Sequence, residues 1–462
     1  MKKTFAAVAA AVVVAYLASP LIIGLIAKRQ FPGTLKGFNG GTREWQPDGF
    51  HLGYRHSSAD STLTIPVSAG APLVIHLHHH ITQGLGPDLS IMEVTTTPTL
   101  QGTTKERLDR LFAGKRPLTI DTKIYADGRY TSTVKASAIA DQPLPGKPTV
   151  HLAFAGLTGT VNGTFHPHAA SYRLTSSGLR LRDDKTRVRI AVSGLSLTGK
   201  AHLIESGLSL GGGSFSVDRL VVAPTGKPAT EVDGMGFTVK VQREHDGLGF
   251  LYDIHMARLS GPPDLKVTNL ALEIAGHRLD EKSTARFTRR LAAISRLHLP
   301  PAQAGARYRD ALHSVAGGFL AHSPEIRIRR LAFDLPAGRV RANADVRFDG
   351  TGFKSVADPR NIQRLSVEAA VEAPATAVRA LLVGLMHPKA VAYAKAVKPD
   401  ATPAQVNALT ARMADQTIRN LLARDLLQSK GGTYASALAF RHGALSVNGQ
   451  PMALPSLPTS GR

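Results

Sequence analysis

Apolar and charged residues alternate with a period of two over paired segments, and this feature constrains the chain most, because it places one face of a β-strand in a core and the other in water. Leu179 and Leu181 alternate with Arg180 and Arg182, Asp183-Asp184-Lys185 turns the chain, and Val188, Ile190 and Val192 alternate with Arg187 and Arg189. Ile326 and Ile328 alternate with Arg327 and Arg329. Beyond Pro336-Ala337-Gly338, the series Val340, Ala342, Ala344, Val346 and Phe348 alternates with Arg339, Arg341, Asn343, Asp345 and Arg347. Both patterns predict antiparallel hairpins with one apolar and one mainly basic face.

The same reading predicts strands over His51 to Pro66, Leu73 to Thr82, Ile120 to Ser137, Val150 to Leu174 and Phe237 to Met256. Spacings of three and four predict helices over Glu281 to Leu297, Ala302 to Leu320, Ala375 to Val397 and Pro403 to Leu427. Thr402 is the expected cap of the last, with Pro403 in its first turn. Gly261-Pro262-Pro263 suggests a boundary, giving a β-rich domain over 31–262 and an α+β domain over 263–462, after an anchor at 1–30. The expected fold is mainly β with an α+β C-terminal part, made of extended antiparallel sheets covered by helices and preceded by one transmembrane helix.

The expected anchor is Phe5 to Ile26, 22 residues without a charge, between Lys2-Lys3 and Lys28-Arg29. That length suits a bilayer core. Leu17-Ala18-Ser19 before Pro20 is a poor cleavage site, so the segment reads as an uncleaved signal anchor. Beyond it, 43 Gly and 28 Pro favour many turns, and a hydrophobic share of 43% supplies packed cores rather than disorder. At 462 residues at least two cores are expected. The absence of cysteine excludes disulfides, thiolate metal sites and cysteine nucleophiles. A formal net charge of +22, spread along the chain, attracts anionic surfaces. Next to a membrane anchor, anionic lipid or lipopolysaccharide is the accessible partner, and nucleic acid is not expected.

Chemistry-bearing motifs are few. His76, His78 and His80 share one face of a predicted strand, with His79 on the other, and alternate imidazoles are weak candidates for a metal site. Gly207-Leu208-Ser209-Leu210-Gly211 has the spacing of a nucleophile elbow but precedes Gly212, Gly213 and a strand-like segment instead of a helix. Ser132-Thr133-Val134-Lys135 has Ser-x-x-Lys spacing but lies in a predicted strand. No phosphate-cradling glycine loop, zincin motif or paired-carboxylate signature is present, and no cofactor is expected. Arg180, Arg182, Arg187 and Arg189 are the candidate contacts to an anionic surface.

Trp45-Gln46-Pro47-Asp48-Gly49-Phe50 leads into strands, and a histidine-rich strand then runs towards Gly86-Pro87. The closing segments are Tyr434 to Phe440, His442-Gly443-Ala444-Leu445 and Val447-Asn448-Gly449-Gln450. With the opening Lys-Lys and apolar segment, these resemble the YdgA family of bacterial envelope proteins over nearly the whole chain. One departure is the segment Ile81 to Leu85, which separates His80 from Gly86-Pro87 where that family often has His-Gly-Pro. The resemblance implies inner-membrane attachment with a periplasmic body, and leaves the biochemical role open. The expected function is a binding or structural role in the cell envelope, in contact with lipid or other envelope components; the alternative is a periplasmic hydrolase with a site assembled across strands.

Overall fold

A computed structural model of the chain describes residues 17–33, 44–65, 73–100, 102–165, 168–226, 228–261, 265–297, 299–397 and 400–453. The chain falls into two compact units, Met1–Pro228 with Lys282–Val315, and Ala229–Glu281 with Ala316–Arg462. The division expected after residue 262 falls between two strands of the second unit whose ends pair, Gly261 with Leu265.

In the first unit, helix α1 (17–33) precedes strands β1 (Glu44–His51), β2 (His56–Ile65), β3 (Leu73–Gln83) and β4 (Ser90–Thr99). Helix α2 (Gly102–Leu111) follows, then β5 (Leu118–Tyr125), β6 (Arg129–Ala136), β7 (Ile139–Leu144), β8 (Lys147–Phe154) and β9 (Leu157–Thr164). The long strands β10 (Ala169–Asp183), β11 (Val188–Leu203) and β12 (Ser209–Ala223) complete it. Every pairing recorded among these strands is antiparallel, in the order β1-β2-β3-β4-β5-β6-β9-β10-β11-β12. β8 lies in line with β9 and takes the other end of β10, while β7 pairs β8.

The alternation in β3 shows why this chain folds into a two-faced sheet. Leu77, His79, Ile81 and Gln83 are buried, and His78, His80 and Thr82 between them are exposed. In the arginine hairpin, Leu179 stands opposite Val192 and Leu181 opposite Ile190, as the apolar pattern requires. The turn is longer than expected, with Asp183 paired to Val188 and Asp184 to Arg187 between them.

The transmembrane part of the expected fold is overturned. Residues 5–16 of the expected span lie outside the described residues, and among the described residues no helix is long and apolar enough to cross a membrane. Helix α1 lies against the sheet instead. Its small residues explain its placement, since buried Pro20 and Gly24 let the helix approach the β1–β3 sheet closely. Phe31 stacks edge-on against Phe50 at 5.8 Å and against His79 at 5.6 Å. The Tyr54 hydroxyl donates to the Leu17 carbonyl.

A line of backbone reversals crosses β9 through β12. Gly156 (φ +84°), Gly178 (φ +152°) and Gly194 (φ +64°) lie on neighbouring strands or between collinear ones. The apolar face changes parity there, from Tyr172 and Leu174 to Leu179 and Leu181 in β10, and from Val192 to Leu195 and Leu197 in β11. Pairing register is retained across the line, with Val192 opposite Leu220 and Leu197 opposite Phe215. Because neighbouring strands reverse together, the sheet creases without losing a partner. Gly178 cannot be replaced freely, since a Cβ there would meet the Val192 carbonyl oxygen at 2.3 Å.

The second unit contains β13 (Thr230–Glu244), β14 (Gly247–Gly261) and β15 (Leu265–Leu279). Helices α3 (Glu281–Arg296) and α4 (Pro301–Ala321) come next in the chain, α4 passing from the residues of the first unit to those of the second. Then follow β16 (Glu325–Leu335), β17 (Gly338–Phe348), the single turn α5 (Asn361–Arg364), β18 (Leu365–Pro374), α6 (Ala375–Val397) and α7 (Pro403–Ala423). Strands β19 (Gln428–Lys430), β20 (Thr433–Arg441), β21 (Ala444–Val447) and β22 (Gln450–Met452) end the described chain. The order is β13-β14-β15-β16-β17-β18-β20, with β19 and β21 sharing the far edge of β20, and the pairs are again antiparallel. Val340, Ala373 and Ala377 form a core with Phe333, Leu335 and Val378, joining the sheet to the start of α6. Ala390, Ala394 and Val406 let α6 and α7 pack closely. Thr402 caps α7 as expected, through a reciprocal capping box with Gln405 and with Pro403 in the first turn.

Candidate functional site

The histidines of β3 do not converge. His76 Nδ1 lies 3.1 Å from Thr62 Oγ1, His78 Nδ1 lies 2.8 Å from Asp60 Oδ1, and His80 stacks on His56 with ring centroids 5.8 Å apart. Each finds its own neighbour on β2, because alternate residues of a strand are about 7 Å apart. Among the described residues no cluster of three or more His, Cys, Asp or Glu side chains is placed to hold a metal ion.

His79, on the opposite face, is the chemically distinctive residue. Its Nε2 lies 2.8 Å from Ser61 Oγ and its Nδ1 2.8 Å from Thr96 Oγ1, while Trp45 Nε1 donates to Ser61 Oγ at 2.8 Å. Desolvation lowers the His79 pKa from 6.5 to about 4, against an opposing attraction from Asp60. A hydroxyl beside an uncharged imidazole resembles a nucleophile and its base. Ser61, however, is fully buried, so this network has no opening for a substrate and serves the packing of β1–β4. Beside it, Ser57 Oγ donates to Gln83 Oε1 at 2.9 Å, and Gln83 Nε2 donates to the Gly53 carbonyl at 2.7 Å.

The serine motifs lie on strands. Ser132 is buried in β6 with its Oγ 2.8 Å from Thr122 Oγ1, and Lys135 belongs to the opposite parity of that strand. Ser209 opens β12 opposite Leu203, so no strand-to-helix elbow exists there. Neither placement supplies an activated nucleophile.

Of the four hairpin arginines, three share a face. Arg182 stands directly opposite Arg189 across β10 and β11, and Arg180 lies two residues along from Arg182. Arg187 is in the turn, at φ +51°, outside the alternating rows. Arg182 is partly neutralised, with Nε 2.9 Å from Asp184 Oδ1 and a guanidinium nitrogen 3.7 Å from Asp141 Oδ2. Arg180 and Arg189 make no ion pair among the described residues. The Thr186 hydroxyl, at 2.6 Å, holds the Asp183 carboxyl below the usual carboxylate range, which fixes the turn.

The crease opens a shallow cleft of about 430 Å³, lined by hydroxyls of Thr158, Thr175, Ser176, Ser196 and Ser216 and by Asp218. Its residues come from several strands and form no sequence motif; the parity reversals at Gly178 and Gly194 are the signal that marks it. Asp218 occupies the space that a side chain at Gly194 would take. The cleft brings no general base and nucleophile together.

A family model described as a bacterial protein of unknown function (DUF945) matches residues 1–455. No curated protein and no solved structure matches the chain.

Proposed function

Because the chain belongs to the bacterial protein family of unknown function DUF945, its role has to be read from its own residues, and we propose a binding role in the bacterial cell envelope, with anionic lipid headgroups as the ligand of its basic sheet face. The YdgA-like motifs around Trp45 and in the closing hairpin support a place on the periplasmic side. The observation that carries the reading is Arg182 standing directly opposite Arg189. Like charges in directly opposed positions repel, and Asp184 and Asp141 offset this only in part, at Arg182, leaving Arg180 and Arg189 without an ion pair among the described residues. An anionic surface would remove the repulsion and engage exposed Arg180 and Arg189 together.

The test is co-sedimentation of the full-length protein with phosphatidylglycerol vesicles and with neutral phosphatidylcholine vesicles. Replacing Arg180, Arg182 and Arg189 with Gln is expected to weaken binding to the anionic vesicles by about 1 kcal/mol per engaged arginine at modest salt, and to leave the neutral ones unaffected. Added salt should reduce the difference. An unchanged partition of a folded triple variant would refute the proposal.

A further inference from the structure

A second basic site is built into the sheet of the second unit by a bulge. Ile328 pairs with Ala344 and Leu331 with Ala342, so Arg329 and Arg330 together stand opposite the single residue Asn343. A bulge re-aims side chains locally. Here it adds an arginine to a row already holding Arg339 and Arg341 on β17, and all four line one open trough of about 560 Å³. Arg329 is engaged by Glu273 at 3.2 Å and Arg339 by Asp334 at 3.6 Å. Arg330 stands opposite Glu273 and Arg341 opposite Glu372, but neither closes an ion pair among the described residues.

The trough continues from the arginines across the strands. Asn343 pairs with Ala370, and Ala370 with Ala437, so small side chains form a floor running at right angles to β17, β18 and β20. At ~4.8 Å per strand this floor extends about 14 Å from the bulge to Ala437. Gln428 lines the same trough, as does the carboxylate of Glu372, which stands directly opposite Arg341 and can accept from ligand hydroxyls. Four arginines at one end, a narrow floor, and the Glu372 carboxylate and Gln428 amide beside it fit an elongated ligand with one strongly anionic end and hydroxyls that donate along its length. Arginine's planar donor fork favours phosphate for that end.

We propose that this trough binds a phosphate ester, its phosphate held by Arg330 and Arg341 and its uncharged polyol part lying over Ala370 and Ala437 towards Gln428. The site is separate from the arginine hairpin of the first unit and stands without it. Such an ester can be free or part of a lipid headgroup. Titration of the full-length protein with glycerol phosphate, and separately with phosphatidylglycerol vesicles, distinguishes these sources.

The Arg330→Gln/Arg341→Gln variant is expected to bind glycerol phosphate at least tenfold more weakly while keeping its thermal midpoint. Ala370→Leu, which fills the floor and keeps every arginine, should also weaken binding severalfold. The Arg180, Arg182 and Arg189 triple variant should bind glycerol phosphate as the parent does, so failure of this site and failure of the hairpin are read separately. If only vesicle binding falls in the Arg330/Arg341 variant, the ester is a lipid headgroup and the site stands. Unchanged binding of both probes by that variant, in folded form, would overturn the proposal.

Discussion

Ser61 Oγ and His79 Nε2 lie 2.8 Å apart with both residues buried, which makes an ionisable ring part of the sealed core beneath β2 and β3. Its stability contribution depends on pH. His79 in the folded protein takes a proton only near pH 4, whereas the unfolded chain takes one near 6.5. Between these values the unfolded state binds more protons, so stability falls as pH drops from about 7 towards 4, by at most about 3 kcal/mol. Below pH 4 this contribution is exhausted. Denaturant midpoints measured at pH 7 and 4.5 check it; a His79→Gln variant should show a smaller difference, and an undiminished one would assign the acid sensitivity to other groups.

The direction of the hydrogen bonds predicts one tautomer. Trp45 Nε1 donates to Ser61 Oγ, which leaves the Ser61 proton to donate to His79 Nε2. His79 then carries its proton on Nδ1 and donates to Thr96 Oγ1. Nitrogen chemical shifts of labelled His79 at neutral pH should report the Nδ1–H form. An Nε2–H signature would mean that Ser61 accepts from both neighbours.

Reading by period two succeeded where a single parity runs through a strand, as in β17, whose apolar residues from Val340 to Phe348 keep one face. It stopped short where the backbone reverses. Val150 to Leu174 reads as one strand, yet Gly156 at φ +84° separates β8 from β9 and lets both pair with β10. In β16 the extra residue at Arg329 and Arg330 breaks an alternation that looks regular through Arg327 and Arg329. The network around His79 was hidden for another reason: Ser61 and Thr96, which contact it, and Trp45, which donates to Ser61, come from three other strands, and only the pairing of β1 to β4 brings them together.

Gly178 tests the crease. Gly178→Ala places a Cβ against the Val192 carbonyl at a positive φ and is expected to destabilise the protein by about 1 to 3 kcal/mol. Gly207 also has a positive φ, +80°, but nothing within 4 Å of its missing side chain, so Gly207→Ala should cost only about 1 kcal/mol. Urea unfolding of the two variants makes the comparison. Equal losses would show that conformation alone, without close approach of neighbouring strands, governs the crease.

The packing of α1 on the sheet gives the last prediction, because the two sides of this helix are both apolar in sequence and only contact separates them. A side chain added at Gly24 would meet Gln83 Nε2 at 2.3 Å and Leu52 Cδ1 at 2.7 Å. Gly24→Val should therefore push the helix off β3 or break the Gln83 hydrogen bonds to Gly53 and Ser57, a loss of about 2 to 4 kcal/mol by overpacking and lost polar pairing. Ile22, 53% exposed on the outer side, has no such role, and Ile22→Ser is expected to change stability by no more than about 0.5 kcal/mol. Hydrogen exchange of the β3 amides provides an independent readout, since lifting α1 exposes His79 and Gln83 to solvent. Faster exchange in Gly24→Val with parental exchange in Ile22→Ser supports a helix seated by its small residues. The opposite ranking would mean that Leu21, Ile22 and Leu25 form the packed face.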